Sequence, residues 1–179
     1  GVYFNAKNVH IRIESESPPR SALGGSSAAV VALIAALSRL CQRAASTRPL
    51  TRPEMAILAQ GLEETVAGVP CGFQDQLAAI YGGVNVWKWP RNIKSPQFRK
   101  KVVVPKRWHE HFEKHLLVAY CGKPHVSKDI NGRWVQQFLK GKFRHLWADI
   151  ITCTRQFVSA VADRQYTLAG KLMNRETAL

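Results

Sequence analysis

The chain has 179 residues and a mass of 20.0 kDa, which fits one ordinary domain or a piece of a larger protein. Hydrophobic residues make up 46% and charged residues 21%, close to globular averages, and this excludes wholesale disorder. A net charge of +14 predicts an anionic partner, a phosphorylated ligand, or acidic segments outside this chain.

The first strand is predicted at Val9–Ile13, where apolar and polar residues alternate. After a polar, proline-containing loop, a helix is predicted from Leu23 to about Cys41. Residues 28–37 of this helix are all apolar, so we expect burial on nearly every face. That run of ten residues is too short to span a bilayer, and we expect no membrane partner.

The second helix carries a clear start signal. Thr51 and Glu54 form an S/T-x-x-E capping box, and Gly68 is the predicted end of the helix. Its expected apolar stripe consists of Met55, Leu58, Leu62 and Val66.

The remaining elements alternate short strands with helices. A short helix is predicted at 73–80, strands at 84–89, 101–104 and 116–119, and helices at 127–139, 143–163 and from 168 onward. This order indicates the α+β class.

Cysteine usage indicates the compartment. The four cysteines lie at least thirty residues apart and form no C-x-x-C pair, which gives zinc knuckles and thioredoxin-type redox motifs no support. We interpret them as reduced thiols of a cytoplasmic protein.

The segment Leu23-Gly24-Gly25-Ser26-Ser27-Ala28 is the first candidate site. Paired glycines allow backbone N–H groups to approach a phosphate, and the helix N-terminus adds a positive dipole end. The hydroxyls of Ser26 and Ser27 are suited to a phosphate or to Mg²⁺. A glycine turn that starts a buried helix explains the same residues, and both interpretations stay open.

The second candidate is Asp75, one turn into the predicted short helix. We expect the dipole of that helix to lower the pKa of Asp75 and keep the carboxylate ionised. An ionised carboxylate in a pocket can accept a proton from a hydroxyl nucleophile. A solvated first-turn aspartate is the alternative.

Glu63 and Glu64 lie near the C-terminal end of the second helix, where carboxylates oppose the dipole. A compensating cation such as Mg²⁺ or a lysine fits them, and so does a plain solvated face.

Together these segments resemble the GHMP kinases, the superfamily of galactokinase, homoserine kinase, mevalonate kinase and phosphomevalonate kinase. Residues 23–29 are similar to its central glycine-serine phosphate motif, and residues 68–76 to the segment that carries its catalytic aspartate. The Gly68-Val69-Pro70-Cys71-Gly72 part is most like galactokinases. The Gln74-Asp75-Gln76 part with residues 78–85 is more like heptose-phosphate kinases.

The resemblance implies an ATP- and Mg²⁺-dependent kinase acting on a sugar or sugar-phosphate hydroxyl. Asp75 would be the catalytic base, and residues 23–28 would bind the ATP phosphates. Ser26, Ser27 and Glu63 would hold Mg²⁺, while Cys71 and Gly72 would lie near the sugar.

The same resemblance implies a GHMP-like two-layer fold that is incomplete at both ends. The family's N-terminal sugar motif is expected before Gly1, and its C-terminal glycine-rich motif after Leu179. We expect a central part of the ATP-binding domain over 1–105 and the start of a helical C-terminal domain over 106–179.

A basic stretch, 88–107, contains eight Lys and Arg residues and no Asp or Glu, and it includes Trp89 and is flanked by Trp87 and Trp108. It is compatible with a solvated hairpin, with attraction of a phosphorylated small molecule, or with a catalytically silent nucleotide- or nucleic-acid-binding module. Nucleic acid is the less favoured partner. Nothing in the sequence indicates an oligomeric state.

Two histidine-containing segments add weaker candidates. His111 and His115 have an i, i+4 spacing that can grip a metal, but no third ligand is apparent, and we interpret the segment as a surface helix. Lys123 and His125 lie in a predicted loop from which they could reach a substrate.

Overall fold

The computed structural model describes residues 4, 8–18, 21, 23–45, 48–68, 71–89, 98–120, 122 and 128–179. The chain divides into two compact units, the first comprising residues 1–82 and 120–132 and the second comprising 83–119 and 133–179. The domain boundary near residue 105 that the sequence suggested stays a prediction.

Three packed helices make up the first unit: α1 (Gly25–Ala45), α2 (Arg52–Ala67) and α3 (Gln74–Tyr81). Val31 and Ile34 of α1 and Ala59 of α2 form its buried centre, and Ile80 of α3 packs against them. The three helices confirm the sequence prediction within a few residues at each end. The segments before α1 and α3 are therefore held by a shared core.

Burial of α1 is less complete than its composition suggested. Ser27, Val31, Ile34 and Leu37 are buried, whereas Leu40 is exposed. The exposed positions within the apolar run are alanines, and their small side chains place little apolar surface in water. The prediction of burial on nearly every face is wrong, because composition alone does not reveal which face meets a neighbour.

The caps of α2 are as predicted. The Thr51 side chain accepts from the Glu54 backbone, the Glu54 carboxylate accepts from the Thr51 N–H, and Gly68 ends the helix in the left-handed conformation. The predicted apolar stripe is wrong in its second half, since Leu62 is exposed and Val66 is 87% exposed. Small residues, Ala56 and Ala59, provide the fully buried contacts instead.

The second unit contains β1 (Val84–Lys88) and β2 (Arg99–Val104), an antiparallel pair with Val86 opposite Lys101. After a 3₁₀ turn at Lys106–Trp108 come α4 (His109–Glu113), α6 (Arg144–Ala162) and α7 (Tyr166–Thr177). Helix α5 (Lys128–Leu139) spans the division between the units. The buried core of this unit consists of Val103, Val104, Cys153, Ala160, Val161, Ala169 and Leu172.

Two predicted strands are wrong. Residues 9–13 have no regular secondary structure, and Ile11 and Ile13 are exposed. Residues 116–119 are also irregular, with Leu117 89% exposed. Alternating or apolar sequence makes a strand possible, but a strand also needs a partner for its backbone groups, and local pattern does not supply one.

The described residues combine helices with one two-stranded antiparallel sheet, which is compatible with the α+β class. The family-like layering of helices on a larger sheet stays a prediction. No helix in the described ranges is long and apolar enough to cross a membrane. Cys41 and Cys153 are thiols that donate to the carbonyls of Phe4 and Leu172.

Candidate functional site

The glycine-serine segment lies where α1 begins. Gly24 has φ of 70°, and its carbonyl accepts the first bond of the helix from the Ala28 N–H at 3.0 Å. Leu23 and Ser26 are exposed, whereas Ser27 is buried at 3% exposure. No acidic side chain occupies the first turn, so the positive end of the α1 dipole is not neutralised by the helix itself.

Gly24 approaches the side chain of Asp75 closely. A Cβ atom added to Gly24 would lie 3.5 Å from the Cβ, Cγ and Oδ1 atoms of Asp75. Asp75 is in the first turn of α3, as the sequence predicted, and solvent reaches its side chain although neighbouring atoms partly cover the carboxyl group. The fold therefore brings the start of α1 and the aspartate of the second motif side by side, although fifty residues separate them in sequence.

Glu63 connects all three helices of the first unit. The Ser27 hydroxyl of α1 donates to Glu63 Oε2 at 2.7 Å, and the Gln76 amide of α3 donates to the same oxygen. Both donors are buried at 3% exposure, and Glu63 itself is half-buried on α2. Charge-assisted bonds of this kind are about twice as strong as neutral ones, so they fix the carboxylate firmly.

The pKa of Asp75 is shifted opposite to the sequence expectation. Burial of the carboxyl raises the pKa of Asp75, and the nearby Glu63 carboxylate raises it further. The sequence predicts a lowered pKa from the dipole of α3, and this prediction is wrong because burial and Glu63 both favour the protonated carboxyl group. A raised pKa makes the Asp75 carboxylate a better proton acceptor once it is ionised.

Cys71 and Gly72 lie in the connection just before α3. The Cys71 carbonyl accepts from Gln60 Nε2 at 3.1 Å, and burial, then Glu63 and Glu64, raise the pKa of the Cys71 thiol. A Cβ on Gly72 would meet the amide oxygen of Gln74 at 2.1 Å, so a larger residue there would displace that side chain. Cys71 is therefore near the carboxylates of α2.

The oxygen atoms around Glu63 fit a small divalent cation. The Ser27 hydroxyl and the Glu63 carboxylate are hard oxygen ligands of the kind that Mg²⁺ prefers. Gln76 Oε1 is buried and has no hydrogen-bond partner among the described residues. Ser26, the other predicted ligand, is exposed at the start of the same helix, and the structure brings it to neither carboxylate.

The described residues contain no cluster of three His, Cys, Asp or Glu side chains that could hold a metal. His109 Nε2 hydrogen-bonds the Val104 carbonyl, and His115 Nδ1 hydrogen-bonds the His111 carbonyl. This agrees with the interpretation of the histidine segment as a structural surface helix. Lys123 and His125 lie outside the described residues.

Sequence reasoning missed the role of two glutamines. In the sequence, Gln76 stands out only as a neighbour of Asp75. No sequence motif points to Gln60, whose amide donates to Glu64 Oε2 at 3.0 Å. The one available sequence signal was the polar Gln76, which directly follows Asp75 on a helix face that is buried. Only the packing of α3 on α2 reveals what that side chain contacts.

Part of the basic stretch lies in the second unit. Arg99, Lys100 and Lys101 are exposed on β2, while residues 91–97 are outside the described ranges. Trp87 of β1 packs edge-to-face on Phe98, with ring centroids 5.4 Å apart. This agrees with a solvated hairpin.

Two comparisons with known proteins support the kinase interpretation, and neither supports a nucleic-acid-binding module. Residues 2–83 match the family described as GHMP kinases N terminal domain. The chain is also 32% identical over 133 residues to the D-glycero-alpha-D-manno-heptose 7-phosphate kinase of Campylobacter jejuni. That match covers 72% of this chain and 34% of the relative, so the chain spans about a third of the relative's length.

No solved structure was found to match the chain. The family assignment therefore depends on the sequence matches, and it agrees with the two motifs that the fold brings together around Glu63 and Asp75. The domain at residues 2–83 is therefore similar to the N-terminal domain of the GHMP kinases.

Proposed function

We propose that the chain provides the phosphate-transfer site of an ATP-dependent kinase that phosphorylates a sugar or sugar-phosphate hydroxyl. The observation that supports this most is the approach of Gly24 to Asp75, at 3.5 Å from a Cβ position to the carboxyl group. It sets a proton acceptor beside a helix N-terminus suited to phosphates.

In this proposal the backbone N–H groups of Gly24, Gly25 and the first turn of α1 bind the ATP phosphates, flanked by Leu23 and Ala28. Asp75 takes the proton from the attacking hydroxyl, and its raised pKa favours that transfer. The catalysis then depends mainly on positioning and charge neutralisation, as is general for phosphoryl transfer.

Ser27 and Glu63 would hold Mg²⁺, with Ser26 close by. The cation, when bound, would supply positive charge that neutralises the phosphate oxygens. The residues of this chain fix its position, because Ser27 and Gln76 already orient the Glu63 carboxylate.

The acceptor we propose is a sugar phosphate of the heptose 7-phosphate type, because the relative is named for that substrate. An unphosphorylated hexose such as galactose is the second candidate, favoured by the galactokinase-like residues at Cys71 and Gly72. Both share a ring hydroxyl as the nucleophile, and they differ in the phosphate that the acceptor already carries.

The experiment is acceptor-dependent ADP release with Mg²⁺ and ATP, using heptose 7-phosphate, galactose and no sugar. Glu63→Gln is the test variant, and Glu64→Gln is the matched control, since Glu64 is the exposed neighbour that contacts neither Ser27 nor Gln76. We expect release with one acceptor, lost in Glu63→Gln and kept in Glu64→Gln. No acceptor-dependent release, or equal rates in both variants, would overturn the proposal.

A further inference from the structure

A buried glutamine contacts the proposed cation ligand, and its amide is only half satisfied. Gln76 is 3% exposed, and its Nε2 donates to Glu63 Oε2. Its Oε1 is also buried, yet no described residue hydrogen-bonds it. A buried amide oxygen without a partner costs free energy, so its presence beside a carboxylate calls for an explanation.

Packing alone does not explain this residue. A methionine or leucine would fill a similar volume on α3 without burying a polar group. The Nε2 group of the amide faces the Glu63 carboxylate, so this bond is favourable, and only Oε1 is left without a partner. The amide oxygen is therefore suited to a state of the site that supplies a further donor.

Two donors from different helices converge on one oxygen of Glu63. Ser27 donates from α1 at 2.7 Å, and Gln76 donates from α3. Hydrogen bonds from two sides fix the side-chain rotamer of Glu63. Partners of this kind orient metal ligands and strengthen metal binding.

We propose that Gln76 is a positioning residue that orients Glu63 toward a divalent cation, and that its amide oxygen accepts a hydrogen bond from water on that cation. Mg²⁺ usually keeps several of its waters when bound to protein, so such a water is expected. The inference rests on the proposed function, because it takes Glu63 as the ligand.

The test is Mn²⁺ binding to the chain without added nucleotide, measured by the loss of the free Mn²⁺ paramagnetic signal, because ATP analogues bind Mn²⁺ themselves. Gln76→Met should weaken Mn²⁺ binding about 10- to 100-fold, the usual range for loss of an outer partner of a metal ligand. The matched control is Gln60→Met, which removes an amide bonded to Glu64 and should change binding less than about twofold.

A second variant separates positioning from packing. Gln76→Glu keeps the shape, removes the donor to Glu63 and offers a carboxylate oxygen near the cation. We expect it to bind Mn²⁺ more tightly than Gln76→Met, although without the cation it should unfold at lower urea concentration. If Gln76 has only a structural role, Gln76→Met should bind Mn²⁺ at least as tightly as Gln76→Glu.

The outcomes distinguish this inference from the proposed function. If the wild-type chain binds Mn²⁺ and Gln76→Met binds it equally well, the positioning role is wrong while the cation site stands. If the wild-type chain binds no Mn²⁺, the cation site of the proposed function fails, and the positioning role fails with it. If Gln76→Met does not fold, Gln76→Asn, which shortens the side chain by one methylene group, takes its place, and wild-type Mn²⁺ affinity in Gln76→Asn would overturn the inference.

Discussion

Gly24→Ala tests whether the narrow space between the start of α1 and Asp75 is needed. Gly24 has φ of 70°, a conformation that costs a residue with a Cβ about 1–2 kcal/mol. The new Cβ would lie 3.5 Å from Asp75, an ordinary contact distance, so no clash adds to the strain. We therefore expect a loss of unfolding free energy of about 1–2 kcal/mol, which leaves a domain of ordinary stability folded.

The effect on the ligand should be larger than the effect on folding. The methyl group occupies the space through which a phosphate would approach the backbone N–H groups near Asp75. We expect Gly24→Ala to weaken Mg-ATP binding at least about tenfold, which corresponds to about 1.4 kcal/mol. Calorimetric titration of Mg-ATP measures the affinity, and urea unfolding measures the stability.

Gly68→Ala is the matched control for backbone strain. Gly68 has φ of 66°, and a Cβ there would contact nothing within 4 Å. The Gly68→Ala variant should lose a similar amount of unfolding free energy, and it should bind Mg-ATP with wild-type affinity. Unchanged affinity in Gly24→Ala, or an equal loss in Gly68→Ala, would refute the argument that this space receives phosphate.

Three further predictions concern stability. Leu77→Ala should cost about 2–5 kcal/mol by urea unfolding because Leu77 is fully buried, whereas Leu117→Ala should be near neutral; equal effects would contradict the described core. Thr51→Ala should cost about 0.5–2 kcal/mol through loss of the α2 cap, and a stable variant would count against it. Burial and Glu63 raise the pKa of Asp75, so its ionisation opposes folding as pH rises above the ordinary value of 3.8. Asp75→Asn should therefore be more stable than wild type at pH 7 and equal to it in strong acid; the opposite trend between those pH values would disprove the shift.

Local signals predicted the helices well. The capping box at Thr51 and the terminal glycine at Gly68 act through contacts within one turn, so sequence alone was sufficient for α2. The same holds for α3, which was predicted at 73–80 and is observed at Gln74–Tyr81 with Gly82 as its C-cap. The strands at 9–13 and 116–119 were wrong because strand formation depends on a partner elsewhere in the chain.

The candidate site was predicted as residues but not as an arrangement. Motif resemblance pointed to Gly24, Ser27, Glu63 and Asp75, and the fold brings these four residues close to one another. The shared contact of Ser27 and Gln76 with one oxygen of Glu63 spans three helices and has no local sequence signal. The pKa shift of Asp75 was predicted with the wrong sign, because burial and a neighbouring carboxylate are tertiary effects.

The measurement that tests the central claim most directly is single-turnover transfer of the labelled γ-phosphate of ATP to a sugar-phosphate acceptor. Asp75→Asn is compared with Asp149→Asn, a change at an exposed aspartate of the second unit. We predict transfer by the wild-type chain and by Asp149→Asn, and a loss of at least about 100-fold in Asp75→Asn with Mg-ATP binding retained. Absence of transfer in the wild type, or undiminished transfer in Asp75→Asn, would contradict the account.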